Sequence, residues 1–451
     1  MFDPKAVLAH YQKPVPRYTS YPTAPQFKEG IGAGLFAASL PQLDSYTPVS
    51  AYLHVPFCDR LCWFCGCHTK HTLKYAPIAR YMRSLLEEIR LVGRQLETKP
   101  VLGALHLGGG SPSLLKRDEL QALRQALDET FRIDHRTEIS VEIDPSDVKS
   151  DTIAALMEFG LTRASVGVQD FHEDVQTAIN RPQSFEITRD VIQQLRAAGV
   201  SSINVDALYG LPLQSQERLL RTIEQCLSLR PDRMALFGYA HVPWLKKHQN
   251  MIKTEDLAGP LERFDHAHAA SAQLVAGGYQ SIGIDHFALP DDSLAVAARS
   301  NRLHRNFQGY TTDHHQTMIG FGASSIGRFA NGYVQNTVPT AQYQTQVSSG
   351  ELPKNKGLIL TEEDQLRSYL IERLMCEFEI DFDRLQVFPD ALVQPCLQKA
   401  RLLAAQDQFG LCAMENNKLQ ILPQARPFAR IVAAHFDAYY APEQFQYSKA
   451  V

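Results

Sequence analysis

The sequence predicts an α/β protein, a partial or open (β/α) barrel of about six βα units carrying a small C-terminal domain, and three observations predict it. Short β-favouring runs recur at Ala51–Pro56, Ala104–Leu107, Glu138–Ile143, Ala164–Val168, Ser202–Val205 and Arg233–Tyr239. Stretches with a helical apolar period separate them: Ile78–Leu96, Arg117–Phe131, Asp151–Phe159, Ser184–Ala198 and Gln216–Ser228. Each strand follows the last by roughly 25–50 residues, the repeat of a βα unit, and such units build a parallel sheet with helices outside. A later strand is expected at Tyr279–Asp285.

Two outer segments flank this barrel of residues 51–355. Residues 1–50 are rich in proline and tyrosine; Pro14, Pro16 and Pro22 interrupt any helix, so an extended arm is expected. The cluster loop and strand ends described below all follow residue 51, so the core is expected to fold without this arm. From 356 to 451 a second composition predicts a mostly helical lid domain. Thr361-Glu362-Glu363-Asp364 opens a helix through Leu366–Phe378. Leu411–Met414 and Leu419–Leu422 flank the turn signal Glu415-Asn416-Asn417-Lys418, and a last helix is expected over Ala425–Tyr439. Helices plus a β-hairpin resemble a winged helix, ordinarily a DNA-binding module. Residues 361–451 hold 9 basic against 13 acidic side chains, a net of −4, which opposes phosphate binding.

Composition narrows the function classes. Apolar residues make up 44% and charged residues 21% of the 451, values of a globular enzyme. The whole chain is also at −4, so no nucleic-acid partner is expected. No run of about 18 apolar residues occurs, and charges and prolines break the first twenty residues, so neither a membrane span nor a secretory signal is expected. The expected compartment is the cytoplasm, where cysteines stay reduced.

Of 8 cysteines, Cys226, Cys376, Cys396 and Cys412 are scattered and read as small buried hydrophobes, while Cys58, Cys62, Cys65 and Cys67 crowd into one loop. Cys58, Cys62 and Cys65 form C-x3-C-x2-C directly after the first strand. Three thiolates on one loop can hold three irons of a cubane and leave the fourth open to a ligand. The alternative is a structural zinc held by the three with Cys67 or His68, but zinc sites usually add a distant second ligand pair, and none is visible. Cys67 is too close to Cys65 to reach the open iron and is left out of the ligand set.

An α/β barrel carries its chemistry where its strands end. There the sequence places Gly108-Gly109-Gly110-Ser111, Glu142-Ile143-Asp144, Gln169-Asp170, Asp206 and Tyr239-Ala240-His241. Each alone reads equally well as a cap or a satisfied polar group. Together at one end they predict a polar, ligand-binding mouth.

The cysteine spacing resembles that of the radical S-adenosylmethionine superfamily. Within it the chain is similar to the oxygen-independent coproporphyrinogen III oxidases, through Pro16-Arg17-Tyr18-Thr19-Ser20-Tyr21-Pro22-Thr23, Cys65-Gly66-Cys67, Gly167-Val168-Gln169-Asp170-Phe171, Asn180-Arg181, Tyr209-Gly210-Leu211-Pro212, Asp285-His286-Phe287-Ala288 and the nine residues from His304 to Thr312. The resemblance implies one 4Fe-4S cluster on Cys58, Cys62 and Cys65, and two S-adenosylmethionine molecules. Tyr52, Gly109, Glu142 and Ile326 fall where the family contacts the first molecule; Phe64, Gly110, Ser111, Gln169, Arg181, Asp206 and Ala240 fall where it contacts the second. Phe307 and Gln308 are candidates for the second site. Arg17, Arg302 and Arg305 are candidates for the substrate's propionates. Arg181 and Asp206 are expected to stand away from the cysteine loop and serve the nucleotide rather than iron. Trp63, His68 and Ser111 depart from the family's Tyr, Asn and Thr. The implied reaction turns two propionates of coproporphyrinogen III into vinyls through a 5′-deoxyadenosyl radical, with an unidentified electron donor and acceptor and a monomeric enzyme. A related radical enzyme acting on heme, and a heme chaperone, are the alternatives.

Overall fold

The structure is a computed structural model and describes residues 2–11 and 14–441; residues 1, 12 and 13 of the arm and residues 442–451 of the lid lie outside it. Strands β1 (Val49–Val55), β2 (Leu102–Gly109), β3 (Glu138–Ile143), β4 (Arg163–Gln169), β5 (Ser202–Tyr209) and β6 (Arg233–Gly238) lie side by side in chain order, every neighbouring pair parallel. Helices α1 (Tyr75–Gln95), α2 (Arg117–Thr130), α3 (Ser150–Phe159), α4 (Phe185–Ala197) and α5 (Gln216–Ser228) provide the crossovers. Each expected βα unit is present, with ends shifted by a few residues.

The alternation along the strands positions the site. In β3 Ile139, Val141 and Ile143 are buried in the main core, while Ser140 and Glu142 face the other way. Strands β4 and β5 repeat this, burying Ala164, Val166, Val168, Ile203, Val205 and Ala207 and turning Ser165, Gln169, Asn204 and Asp206 to the opposite face. A strand with period two has one apolar and one polar side. Here the apolar side meets the helices, and the polar side lines the interior of the sheet.

The sheet extends past the six strands in both directions, which the sequence did not reveal. After α6 (Pro260–Ala276), the expected strand Tyr279–Asp285 is instead a strand–turn–strand: β7 (Gln280–Ile282) and β8 (His286–Ala288) pair antiparallel, and β8 adds antiparallel to β6. Gly283, at φ 59°, makes the turn that ends the single-strand reading. At the other edge β9 (Met318–Phe321) adds parallel to β1, followed by antiparallel β10 (Ile326–Phe329), β11 (Gly332–Asn336) and β12 (Lys354–Ile359). A two-residue strand, Lys28–Glu29, completes a sheet of 13 strands whose edges do not meet. Glu88 of α1, fully buried, ties this edge together: it pairs with Lys354 at 2.8 Å and accepts from Asn336, Tyr343 and the Gly322 backbone N–H.

The outer segments differ from expectation in detail. The arm is not purely extended: Pro4–His10 and Gly32–Ser39 are helical, and Pro4 is tolerated because the first helical turn needs no N–H from it. Leu35, Phe36 and Leu40 are part of the main core, and Val7, Val15, Tyr18 and Tyr21 part of the C-terminal one. The core is therefore not complete without the first fifty residues. In the C-terminal region α7 (Glu362–Cys376) starts at the expected Thr361 cap, which exchanges hydrogen bonds with Asp364. A further helix, α8 (Asp390–Gln406), precedes the hairpin β13 (Cys412–Glu415) and β14 (Lys418–Ile421). Asn416 and Asn417 turn it, at φ 46° and 58°. The last expected helix is shorter: a 3-10 turn, Pro423–Phe428, leads into Ala429–Ala434, because Pro427 disfavours helix in the residue before it. The four scattered cysteines are buried, as expected. No helix among the described residues is long and apolar enough to cross a membrane.

Candidate active site

The cysteine loop leaves β1 at Pro56 and is docked by backbone groups before any ligand is considered. Lys70 N–H donates to Pro56 O at 2.8 Å and Thr72 N–H to Cys58 O at 3.0 Å, closing its base. Its tip lies against the segment after β4: Trp63 N–H donates to Ile179 O at 2.9 Å, and the Asn180 amide to Leu61 O at 2.9 Å. Asn180 holds φ 54°, a left-handed conformation that asparagine tolerates better than most residues. Trp63 and Phe64 pack on Val175, Ile179, Leu211 and Tyr239, which gives the departing Trp63 a plain packing role. From the far side Gln249 donates to Phe64 O and to Ala240 O, and Lys246 to Cys67 O.

Within the loop Cys62 is buried, Cys58 and Cys65 are partly open, and Cys67 is exposed. Burial, then the neighbouring thiols of Cys65 and Cys62, push the Cys58 thiol up. Burial also raises Cys62, opposed by Arg181. The Cys67 thiol, by its hydrogen bond, lowers Cys65 to about 6. Cys65 thus sits close enough to Cys58 and Cys62 to disfavour their ionisation, a tension that bound iron relieves. Among the described residues no set of three or more His, Cys, Asp and Glu side chains is gathered tightly enough for a single metal ion.

Arg181 is placed otherwise than expected. Its Nη1 lies 2.9 Å from Asp144 Oδ2 and 3.4 Å from Cys62 Sγ, and Nη2 donates to Gly167 O at 2.8 Å. It braces the cysteine loop directly, with Nη1 shared between Asp144 and Cys62 and with Nε buried and without a hydrogen-bond partner among the described residues.

The remaining candidates fall into two neighbouring sectors. On the first side Glu142 Oε2 accepts from Gly109 N–H at 2.9 Å, and Oε1 lies 3.3 Å from His106 Nε2. Burial pushes this carboxyl up, but His106 and the Gly109 N–H outweigh it and hold it below its ordinary value. Tyr52 stacks on His106 and bonds His54 Nδ1 at 2.9 Å. Gly109 takes φ 107°, and a Cβ there would lie 2.3 Å from the His54 ring; a Cβ on Gly110 would lie 2.4 Å from Phe57 O. Only glycine lets β2 end so close against the cysteine loop. Ile326 opens β10, two strands from β1, and like Phe307 packs against the cluster of Phe27, Tyr333 and Leu358. On the second side Ser111 Oγ bonds Asp147 at 2.5 Å, and Gln169 closes β4 at φ 69°. Asp206 accepts from Ser165 and Asn204, both at 2.8 Å, yet burial holds its carboxyl above the ordinary value.

Of the other candidates, Phe307 packs edge-on to Tyr333, and Gln308 is exposed at the tip of the 304–311 hairpin. Arg302 is exposed, and its Nε donates to Ser300 Oγ at 3.3 Å. Arg17 reaches Gly238 O at the end of β6, and Arg305 is buried against Asp285. His68, buried in part, is lowered to about 4 by its burial and stays neutral. Residues missed from the sequence are His54, His106, Ser140, Ser165 and Asn204. Their signal was the period-two polar pattern inside strands, upstream of the strand ends.

A parallel sheet with a three-cysteine loop after its first strand defines a radical S-adenosylmethionine enzyme, and the family model of the radical SAM superfamily matches residues 52–226. Such enzymes use a 4Fe-4S cluster and S-adenosylmethionine. The anaerobic coproporphyrinogen III oxidase 1 of Cereibacter sphaeroides is 45% identical over 98% of both chains. The oxygen-independent coproporphyrinogen III oxidase of Bradyrhizobium diazoefficiens is 43% identical over 98% of this chain and 99% of its own. The solved coproporphyrinogen III oxidase of Escherichia coli, 36% identical, superposes with a TM-score of 0.90 over 97% of this chain and all of its own. The chain belongs to the oxygen-independent coproporphyrinogen III oxidase family.

Proposed function

We propose that this enzyme converts two propionate side chains of coproporphyrinogen III to vinyl groups without oxygen, giving protoporphyrinogen IX for heme synthesis. The observation that carries this reading is the three-cysteine loop docked on the polar interior of the sheet, in a chain that matches anaerobic coproporphyrinogen oxidases nearly end to end. When bound, the cluster and S-adenosylmethionine supply a carbon-centred radical that can take a hydrogen atom from a propionate. Carbon dioxide then leaves as the vinyl forms, and one electron passes to an external acceptor. An external donor must reduce the cluster.

In this reading Cys58, Cys62 and Cys65 hold three irons, and Arg181 offsets the negative charge that the Cys62 sulfur brings. Glu142, kept ionised by His106 and the Gly109 N–H, takes an ammonium group. Two sectors support two S-adenosylmethionine sites: Tyr52, Gly109, Glu142 and Ile326 draw on β1 to β3 and β10, whereas Phe64, Gly110, Ser111, Gln169, Arg181, Asp206 and Ala240 sit mainly toward β4 to β6. Asp206 faces the interior and suits ribose hydroxyls. The described parts of the arm (2–11 and 14–50) and of the C-terminal domain (356–441) pack on the barrel of 51–355 and in this reading keep water from the radical. We assign the work to the cytoplasm and to a monomer.

The test is anaerobic incubation with coproporphyrinogen III, S-adenosylmethionine and a reductant, resolving products by chromatography. Protoporphyrinogen IX, with two carbon dioxide released per ring, is expected. S-adenosylmethionine cleavage with the tetrapyrrole intact would overturn the assignment.

A further inference from the structure

Four arginines from four separate segments meet where β5 and β6 end. Arg17 of the arm donates to Gly238 O at 3.2 Å, and Arg263 of α6 donates to the next carbonyl, Tyr239 O, at 2.8 Å. Arg263 also lies over the Tyr209 ring, its guanidinium carbon 5.8 Å from the centroid. Arg305, in the hairpin before β9, lies 3.5 Å from Asp285 and over the Tyr310 ring at 4.3 Å. Arg430, from the last helix and 9% exposed, feels the charges of Arg17, Arg305 and Asp285.

This grouping is unfavourable as it stands. The charge of Asp285 reaches both Arg305 and Arg430, and Arg17 disfavours the charge on both Arg263 and Arg430. Burial, and then Arg17, lowers Arg430 to about 10. A guanidinium braced for packing alone would satisfy its nitrogens on backbone carbonyls. Instead Arg305, only 8% exposed, buries Nε and Nη1 with no hydrogen-bond partner among the described residues, and Arg263 buries Nε likewise. Buried donors without acceptors are costly unless something else accepts from them. The place is informative too: Asp285 is followed by His286, whose charge reaches Asp206 on the interior face of β5.

We propose that Arg17, Arg263, Arg305 and Arg430 form a cradle for carboxylates of the tetrapyrrole, gripping the propionates that do not react while a reacting one points into the sheet interior. The inference rests on coproporphyrinogen III being the substrate. That ring carries four propionates, of which two leave as carbon dioxide and two remain carboxylates throughout. Guanidinium forks match carboxylates in pairs, and the unpartnered nitrogens supply the donors. The cradle also gives a reason for the arm, α6, the 304–311 hairpin and the C-terminal domain to converge at one end of the sheet.

The test is a titration with coproporphyrin III, the oxidised, non-reacting ring with the same four carboxylates, followed by porphyrin fluorescence on the cluster-loaded enzyme. Arg17→Gln and Arg263→Gln should each weaken binding at least about tenfold, with Arg263→Lys recovering part of it. Iron content and the uncoupled cleavage of S-adenosylmethionine should stay at the wild-type level. The tetramethyl ester of coproporphyrin should bind the wild type as weakly as the acid binds the variants. Unchanged affinity in both glutamine variants, or equal binding of acid and ester by the wild type, would overturn the cradle while leaving the decarboxylase reading intact. A wild type that neither binds coproporphyrin III nor turns over coproporphyrinogen III would overturn both.

Discussion

Arg181 and Cys62, 119 residues apart in sequence, are joined by a guanidinium nitrogen 3.4 Å from the sulfur. The same nitrogen holds Asp144 at 2.9 Å. Replacing Arg181 with Met would leave Asp144, its side chain 15% exposed, as an uncompensated carboxylate, a loss of about 3–5 kcal/mol. Arg181→Met should therefore lower both the urea midpoint and the iron bound per chain, and Arg181→Lys should lower them less. Full iron content in the Met variant would return Arg181 to a purely nucleotide-binding role.

The thiols separate into two classes. Cys58→Ser, Cys62→Ser and Cys65→Ser should each abolish the cluster, since a cubane that began with three protein thiolates keeps only two. Cys67 is exposed and contributes its backbone N–H to Cys65 Sγ at 3.4 Å, a contact serine preserves. Cys67→Ser should retain iron, as read from absorbance and iron analysis after anaerobic purification.

Asp206 lies in β5 and bonds Ser165 and Asn204 rather than the cysteine loop. Asp206→Ala should keep its iron and lose at least about a hundredfold in turnover, roughly 2.7 kcal/mol, with weaker S-adenosylmethionine binding by calorimetry. Wild-type rates would remove this residue from the nucleotide site.

Glu372 of α7 lies 3.1 Å from His304 and 3.3 Å from Arg373. Burial pushes its carboxyl up, but His304 and Arg373 more than offset this and bring it down from an ordinary 4.5 to about 2. The unfolded chain therefore takes up this proton at higher pH than the folded one. The stabilisation is complete above about pH 4.5 and fades as the pH falls toward 2. Glu372→Gln should lose about 1–3 kcal/mol at neutral pH by urea unfolding, and the gap from wild type should narrow below about pH 4. A gap independent of pH would exclude the ion pair as its source.

A chain beginning at Pro48 loses Leu35, Phe36 and Leu40 from one core and Val7, Val15, Tyr18 and Tyr21 from the other. At about 1.5–3 kcal/mol per buried side chain the loss reaches the order of 10 kcal/mol, comparable with the whole stability of a typical domain. Such a chain should be insoluble or lack a cooperative thermal transition. A soluble, iron-binding product would show that these contacts are dispensable.

The six βα units were legible because each strand announces itself by a short apolar-rich run and each helix by its period, both local signals. Glu138–Ile143 and Gln216–Ser228 were read to the residue. What escaped depends on contacts far apart in sequence. Met318–Phe321 is four residues long and joins β1 only because the intervening barrel brings them together. The cysteine loop was plain from spacing, yet Arg181 bracing it was invisible, since nothing near Arg181 in sequence marks Cys62 as its neighbour. Ser165 and Asn204 looked like ordinary polar residues in strands until the alternation showed which side faces the interior.

The bond from Tyr18 to Asp437 spans 419 residues. The Ala438 N–H, in turn, donates to Tyr21 at 3.0 Å. On the ribosome the arm emerges 419 residues ahead of the partner of Tyr18, so Tyr18 and Tyr21 wait exposed while all that lies between is made. The barrel can collapse during that interval, but the C-terminal core cannot close until the helix Ala429–Ala434 arrives to meet a segment made long before it. Contacts of such long range close slowly, and the waiting aromatic residues are open to wrong partners meanwhile. A ribosome that stops early therefore yields a chain whose first segment has nowhere to dock, exposed to proteolysis before it could ever meet a substrate.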